Sequence, residues 1–156
     1  MPRPSVRVRQ GPLIRDSMNT KDVGNISQAC VVAALLKAGY NVCIPVGDNC
    51  RYDLVIEKDG VFKRVQCKTG AYSNGVIRFP VRSTSGGGER QSYKGQIEAF
   101  GVYCFSTDKC YLVPIDEVGD DYCTLRVTLS KNGQDSKIRY ANEYMISPVY
   151  FVEKTV

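Results

Sequence analysis

Asp53, Gln66 and Lys68 are the residues of this chain whose types and spacing could do chemistry together. Between them lies Asp59-Gly60, the strongest two-residue hairpin signal a sequence offers, flanked by the β-rich runs Arg51–Lys58 and Val61–Lys68. A two-residue loop pairs Lys58 with Val61, and counting back from there sets Asp53 opposite Gln66. Cβ atoms of facing residues lie about 4.5–5.5 Å apart, and Lys68, two positions on, shares the face of Gln66. The opposite face carries Leu54, Ile56, Val65 and Cys67, a core surface. A carboxylate, a carboxamide and an ammonium on one face can be read two ways. One is a solvated surface with an Asp–Lys pair worth under about 1 kcal/mol. The other is a hard-metal site, with Asp53 as the charged ligand and the Gln66 amide oxygen and Cys67 carbonyl as neutral ones. Such a set suits Mg²⁺, which takes few protein ligands and keeps several waters. Lys68 would then face a phosphate and neutralise charge developing on it.

The rest of the composition narrows the chemistry. Histidine is absent from the 156 residues, which excludes Ser-His-Asp and Cys-His catalysis, His-dependent zinc sites and any histidine general base. The seven cysteines form no CxxC pair and fit no zinc or disulfide framework, so they read as small buried hydrophobes in a reducing, cytoplasmic setting. Lys and Arg number 21 against 16 Asp and Glu, a net charge of +5 that is compatible with a nucleic-acid partner. No apolar run approaches the roughly 18 residues of a membrane helix, and the first residues lack the apolar segment of a secretory signal.

These groups need elements to hold them. Residues 1–17 are rich in Pro and Arg and read as a flexible basic arm; 18–156 read as one α/β domain. A helix starts at Asn19 or Thr20, is apolar almost all round through Ile26, Cys30, Val31, Val32 and Leu35, and stops at Gly39, which predicts full burial. Short β-rich runs follow at Val42–Val46, the two hairpin segments and Val76–Val81. Ser83–Gly95 reads as a flexible loop. Phe100–Phe105 and Lys109–Val113 pair around Ser106-Thr107-Asp108, Tyr122–Leu129 alternates up to Lys131-Asn132-Gly133, Tyr140–Ile146 reads as a short helix, and Pro148–Val152 is extended.

Taken in order, Gly24-Asn25-Ile26-Ser27-Gln28-Ala29, Pro45-Val46-Gly47-Asp48-Asn49, Arg51-Tyr52-Asp53-Leu54 and Val65-Gln66-Cys67-Lys68-Thr69-Gly70 resemble the PD-(D/E)xK nuclease superfamily. More narrowly they are similar to its group I intron homing endonuclease branch, itself related to archaeal Holliday-junction resolvases. The likeness continues through Tyr93-Lys94-Gly95, Ile97, Phe100, Val102-Tyr103, Tyr111-Leu112-Val113-Pro114 and Asn132-Gly133-Gln134, and so spans roughly residues 19–146. It implies a restriction-endonuclease-like α/β core with a mixed sheet flanked by helices. It also implies Mg²⁺-dependent hydrolysis of double-stranded DNA by a homo-oligomer, a dimer or tetramer. Position by position, Asp53 matches the central metal-binding aspartate and Lys68 the motif lysine. Gln66 stands where most members carry Asp or Glu and this branch carries Gln. Gln28 stands where the helix usually supplies a glutamate, which leaves one formal negative charge where the pattern has two. The alternatives are a junction resolvase and a catalytically silent DNA-binding module. For DNA contact the candidates are Arg78 and Arg82 after the hairpin, Arg90 and Lys94 in the glycine-rich stretch, and Arg126.

Overall fold

The computed structural model describes residues 18–129 and 137–149. The first 17 residues, the Lys131-Asn132-Gly133 turn, and the end of the Pro148–Val152 run therefore lie outside the described residues. Helix α1 (Thr20–Lys37) opens with Asn19 at its N-cap, whose side chain accepts a hydrogen bond from the Asp22 amide at 2.9 Å. Among the described residues it is followed by nine strands, β1 (Asn41–Cys43), β2 (Leu54–Lys58), β3 (Val61–Ser73), β4 (Val76–Pro80), β5 (Arg82–Thr84), β6 (Arg90–Ser92), β7 (Ala99–Cys104), β8 (Lys109–Pro114) and β9 (Tyr122–Arg126), and by a four-residue helix α2 (Ala141–Tyr144).

The long strand β3 organises the sheet. Its first half pairs antiparallel with β2 across the Asp59-Gly60 turn, in the expected register of Lys58 with Val61. Residues Val65–Gly70 then pair in parallel with β7, and Ala71–Ser73 pair antiparallel with β4, which leads to β9. One parallel pair among antiparallel ones makes the sheet mixed, as expected. β7 is buried along its whole length, the mark of a central strand, with β8 on its other edge. Its alternation divides the core. Ala99 and Tyr103 join Leu54, Ile56 and Val65 against Val31 and Leu35 of α1, while Phe100, Val102 and Cys104 join Ile77, Phe79, Leu125 and Tyr93 on the other side.

The mixed sheet is flanked by helices as expected, α1 packing Val31 and Leu35 into one core cluster and the short α2 placing Ala141 in the other. Three expectations are corrected. α1 itself buries one stripe, Ser27, Val31 and Leu35, and leaves Ala29, Ala33 and Leu36 exposed. An all-apolar helix needs apolar neighbours on every side, and this one meets the sheet on one side only. The Ser83–Gly95 stretch is not simply loop, since β5 and β6 pair as a hairpin with Arg82 opposite Ser92. Of the seven cysteines, all free, Cys104, Cys110 and Cys123 are buried as expected, but Cys43 and Cys50 are exposed.

Two glycines set how closely the layers approach. A Cβ on Gly101 of β7 would lie 2.6 Å from Val31 Cγ1, and one on Gly70 of β3 would lie 2.6 Å from Ile77 Cγ2. Both opposing groups are β-branched and stiff, so any larger residue would force the helix or the neighbouring strand away.

Candidate active site

The hairpin brings Asp53 and Gln66 together, but not by the simple ladder. β2 begins at Leu54, and the Asp53 amide donates to the Val65 carbonyl at 3.0 Å, one residue short of the expected partner. Asp53 and Leu54 thus both oppose Val65, the arrangement of a β-bulge, a feature common beside active sites because it re-aims a side chain. Freed from the ladder, the Asp53 carboxylate swings over β3. Its Oδ2 accepts from the Cys67 amide at 2.8 Å and from Gln66 Nε2 at 2.6 Å. The same Gln66 nitrogen lies 3.4 Å from the Cys67 carbonyl oxygen. The three sequence-predicted ligand groups are therefore neighbours.

The carboxamide presents its nitrogen to both oxygens. Ligation through its oxygen requires the amide to turn over, which needs only rotation of the terminal torsion, a soft one. The donor set of one carboxylate and two neutral oxygens fits a hard divalent cation of the Mg²⁺ kind, held partly by substrate phosphate and water. Among the described residues no three of His, Cys, Asp and Glu cluster as a metal-binding group, and within the Asp53, Gln66 and Cys67 set Asp53 is the one carboxylate. Burial pushes the Asp53 carboxyl above the usual carboxylate range, against the opposing pull of the Cys67 amide and the Lys68 charge. A carboxylate left under-compensated in this way is a group that a cation would stabilise.

Lys68 follows on the same face, as expected, yet it forms no ion pair with Asp53. Its ammonium turns to Tyr93, 3.3 Å from the phenol oxygen and 4.8 Å from the ring centroid. Arg51, assigned no role from the sequence, stacks on that ring as well, its Cζ 4.3 Å from the centroid. Its guanidinium also donates to Gln96 Oε1 at 2.6 Å, Ser83 Oγ at 2.8 Å and the Ser92 carbonyl at 3.1 Å. Those partners lie 32 to 45 residues away, so no local spacing could have revealed them.

Gln28 is not among this group. It is half-buried on the helix and lines a shallow groove with Asn25, Ala29, Val32 and Ile44, with no hydrogen bond to Asp53, Gln66 or Lys68. Its neighbour Ser27 ties α1 to β3 through a 2.6 Å hydroxyl pair with Thr69, one residue past Lys68. The end of the helix carrying Gln28 is therefore docked at the level of the site.

Four of the five cationic DNA-contact candidates gather on one region. Arg78 lies with its Cζ 3.9 Å from the Tyr122 ring centroid, and Arg90 at 5.7 Å. Arg82 and Arg90 pair with Asp121 at 3.4 and 3.1 Å, and Lys94 with Asp120 at 3.1 Å. These pairs are exposed, and such pairs are worth about 0–1 kcal/mol, weak enough for phosphate to displace the aspartates. Arg126 lies opposite Val76 on β9, on the face of the strand pair that also carries Arg78 and Tyr122.

The profile of the PD-(D/E)XK endonuclease family matches residues 18–147. The chain belongs to that family. The matched span contains every residue of the cluster above, and the endonuclease has the restriction-endonuclease-like α/β core that its sheet suggested. Among solved structures, that of a bacterial homing endonuclease, I-Ssp6803I, superposes with a TM-score of 0.67 at 24% identity, covering 82% of this endonuclease and 89% of that chain. None of the curated proteins is a significant match. No helix among the described residues of the endonuclease is long and apolar enough to cross a membrane.

Proposed function

We propose that this nuclease is a Mg²⁺-dependent endonuclease that hydrolyses phosphodiester bonds in double-stranded DNA, in the manner of a homing endonuclease. The observation that carries the reading is the half-buried Asp53 carboxylate, held at a bulge beside Gln66 and the Cys67 carbonyl, with Lys68 fixed alongside. Asp53, Gln66 and the Cys67 carbonyl would hold the cation, which when bound supplies electrophilic assistance to the phosphate and acidifies a water. The protein's own part is positioning. Lys68 offers a fixed positive charge to the negative charge that grows on the phosphate oxygens. Arg78, Arg82, Arg90 and Lys94 meet the DNA backbone, and Arg126 extends that surface along β9. A duplex has two strands and this chain has one site without an internal repeat, so a symmetric homo-oligomer supplies the second. The solitary carboxylate favours a second reading, a catalytically silent DNA-binding module.

Incubation with supercoiled plasmid and with a four-way junction, in Mg²⁺ and in chelator, tests these readings. The expected result is Mg²⁺-dependent linear plasmid with little accumulation of nicked circle, and affinity that falls steeply as salt rises. Loss of affinity by about 10³-fold between 50 and 200 mM salt corresponds to some six phosphate contacts. Cutting confined to the junction identifies a resolvase. Salt-dependent binding with no cutting under any divalent metal identifies the silent module, and salt-independent affinity contradicts a nucleic-acid role.

A further inference from the structure

We infer that Tyr93 is the positioning residue for Lys68, an inference that rests on the nuclease reading above. A lysine side chain is four flexible carbons ending in a compact charge, and holding it in one place costs rotamer freedom. Electrostatic assistance to a reacting phosphate nevertheless requires that the charge be in place beforehand. Among the described residues the one hydrogen-bond partner of Lys68 Nζ is the Tyr93 hydroxyl at 3.3 Å, and the ammonium also lies 4.8 Å from the centroid of that ring. The ammonium has three N–H groups, so this bond leaves two for substrate.

Tyr93 is itself rigid. It is 4% exposed, its ring packs edge-on against Phe100 at 5.7 Å and 89°, and Phe100 packs in turn on Phe79. Arg51 covers it as well, and is anchored by Gln96, Ser83 and Ser92. The Tyr93 ring thus lies between a fixed core and a fixed guanidinium, and its hydroxyl is presented at the mouth of the site. A tyrosine present only for packing would need no hydroxyl directed at the lysine, since phenylalanine fills the same volume. The hydroxyl holds Lys68 on the Gln66 face of β3. Because Tyr93 directly follows β6, it also fixes the hairpin that carries Arg82 and Arg90 relative to the lysine.

The test is Tyr93→Phe, which keeps the ring and its contacts with Phe100 and Arg51 and removes the hydroxyl alone. The expected loss is about tenfold in kcat with DNA affinity unchanged, equivalent to about 1.4 kcal/mol. In a Lys68→Ala background the same change should have no further effect, the mark of a residue acting through another. In parallel, NMR relaxation of the Lys68 Cε should show an ordered side chain in the wild type and a mobile one in Tyr93→Phe. Unchanged kcat, an equal further loss in the Lys68→Ala background, or a Lys68 equally ordered in both proteins overturns the inference. A wild type inactive on every DNA, but with Lys68 loosened by Tyr93→Phe, supports the tether and removes the nuclease reading.

Discussion

Asp53→Asn is expected to abolish Mg²⁺-dependent cleavage while raising the melting temperature of the protein at neutral pH. Asparagine keeps the shape and an oxygen that can accept from both the Cys67 amide and Gln66 Nε2, the two bonds Asp53 now receives. What it removes is the charge. Loss of one electrostatic group from a preorganised site lowers rates by about 10²–10³, and here that group is also the one carboxylate of the proposed donor set. The gain in stability follows from linkage. Burial raises the folded-state pKa of Asp53 above its unfolded value, so the folded protein holds that proton more tightly. The stabilisation this gives is complete below the unfolded pKa and is lost as pH rises through the folded one. Above the folded pKa the carboxylate is charged and its burial is only partly offset by the Cys67 amide and the Lys68 charge, so there the asparagine variant should melt higher. The advantage shrinks as pH is lowered through the carboxylate range. Each kcal/mol recovered corresponds to about 2–4 °C in a chain of this size. Thermal melts of both proteins from pH 4 to 8, with plasmid cleavage measured alongside, check this; an asparagine variant that cuts at the wild-type rate removes the site from this hairpin.

Gln28→Glu is expected to act in the opposite sense and increase Mg²⁺-dependent cleavage by about tenfold or more, tenfold corresponding to about 1.4 kcal/mol of transition-state stabilisation. The change conserves shape and adds the second charge that the resemblance implies on this helix; Gln28 lines the outer groove, so the glutamate must turn toward a bound cation from the helix end that Ser27 docks on Thr69. Mg²⁺ sheds its waters reluctantly where carboxylates are few, so the added charge strengthens binding. Without metal the new carboxylate repels Asp53, and the variant should melt lower than the wild type. Mg²⁺ should then raise its melting temperature by more than it raises that of the wild type, since stabilisation grows with ligand concentration over dissociation constant. Unchanged cleavage together with an unchanged metal response makes Gln28 a lining residue of the outer helix groove, where the fold places it.

Different parts of this structure were legible in the sequence to different degrees. Asp59-Gly60 placed the hairpin because a type of turn, its loop length and its register are set by two adjacent residues. The same count failed at Asp53, where the bulge shifts the ladder by one; nothing in Arg51-Tyr52-Asp53 encodes a bulge, which arises where the chain leaves β3. The end of β3 was also hidden. Thr69-Gly70 looks like a stop, yet the strand runs on to Ser73 because β7 and β4 pair with its two halves in turn. Glycines in Ser83–Gly95 masked β5 and β6, whose pairing is reinforced by Arg51 contacts from outside the segment. Tyr93 was readable only as an aromatic residue, since its importance lies in which two cations fold onto it.

The most direct test of the central claim is where a divalent ion sits. Mn²⁺, which takes the same oxygen ligands as Mg²⁺, broadens the NMR signals of nearby protons. In the ¹⁵N-labelled protein, small additions should first broaden the Cys67 backbone amide and the Gln66 side-chain amide. Excess Mg²⁺ should restore both signals, and neither should broaden in Asp53→Asn. Broadening centred on the exposed carboxylates of Asp120 and Asp121, with Cys67 and Gln66 left sharp, would contradict a metal site at the bulge.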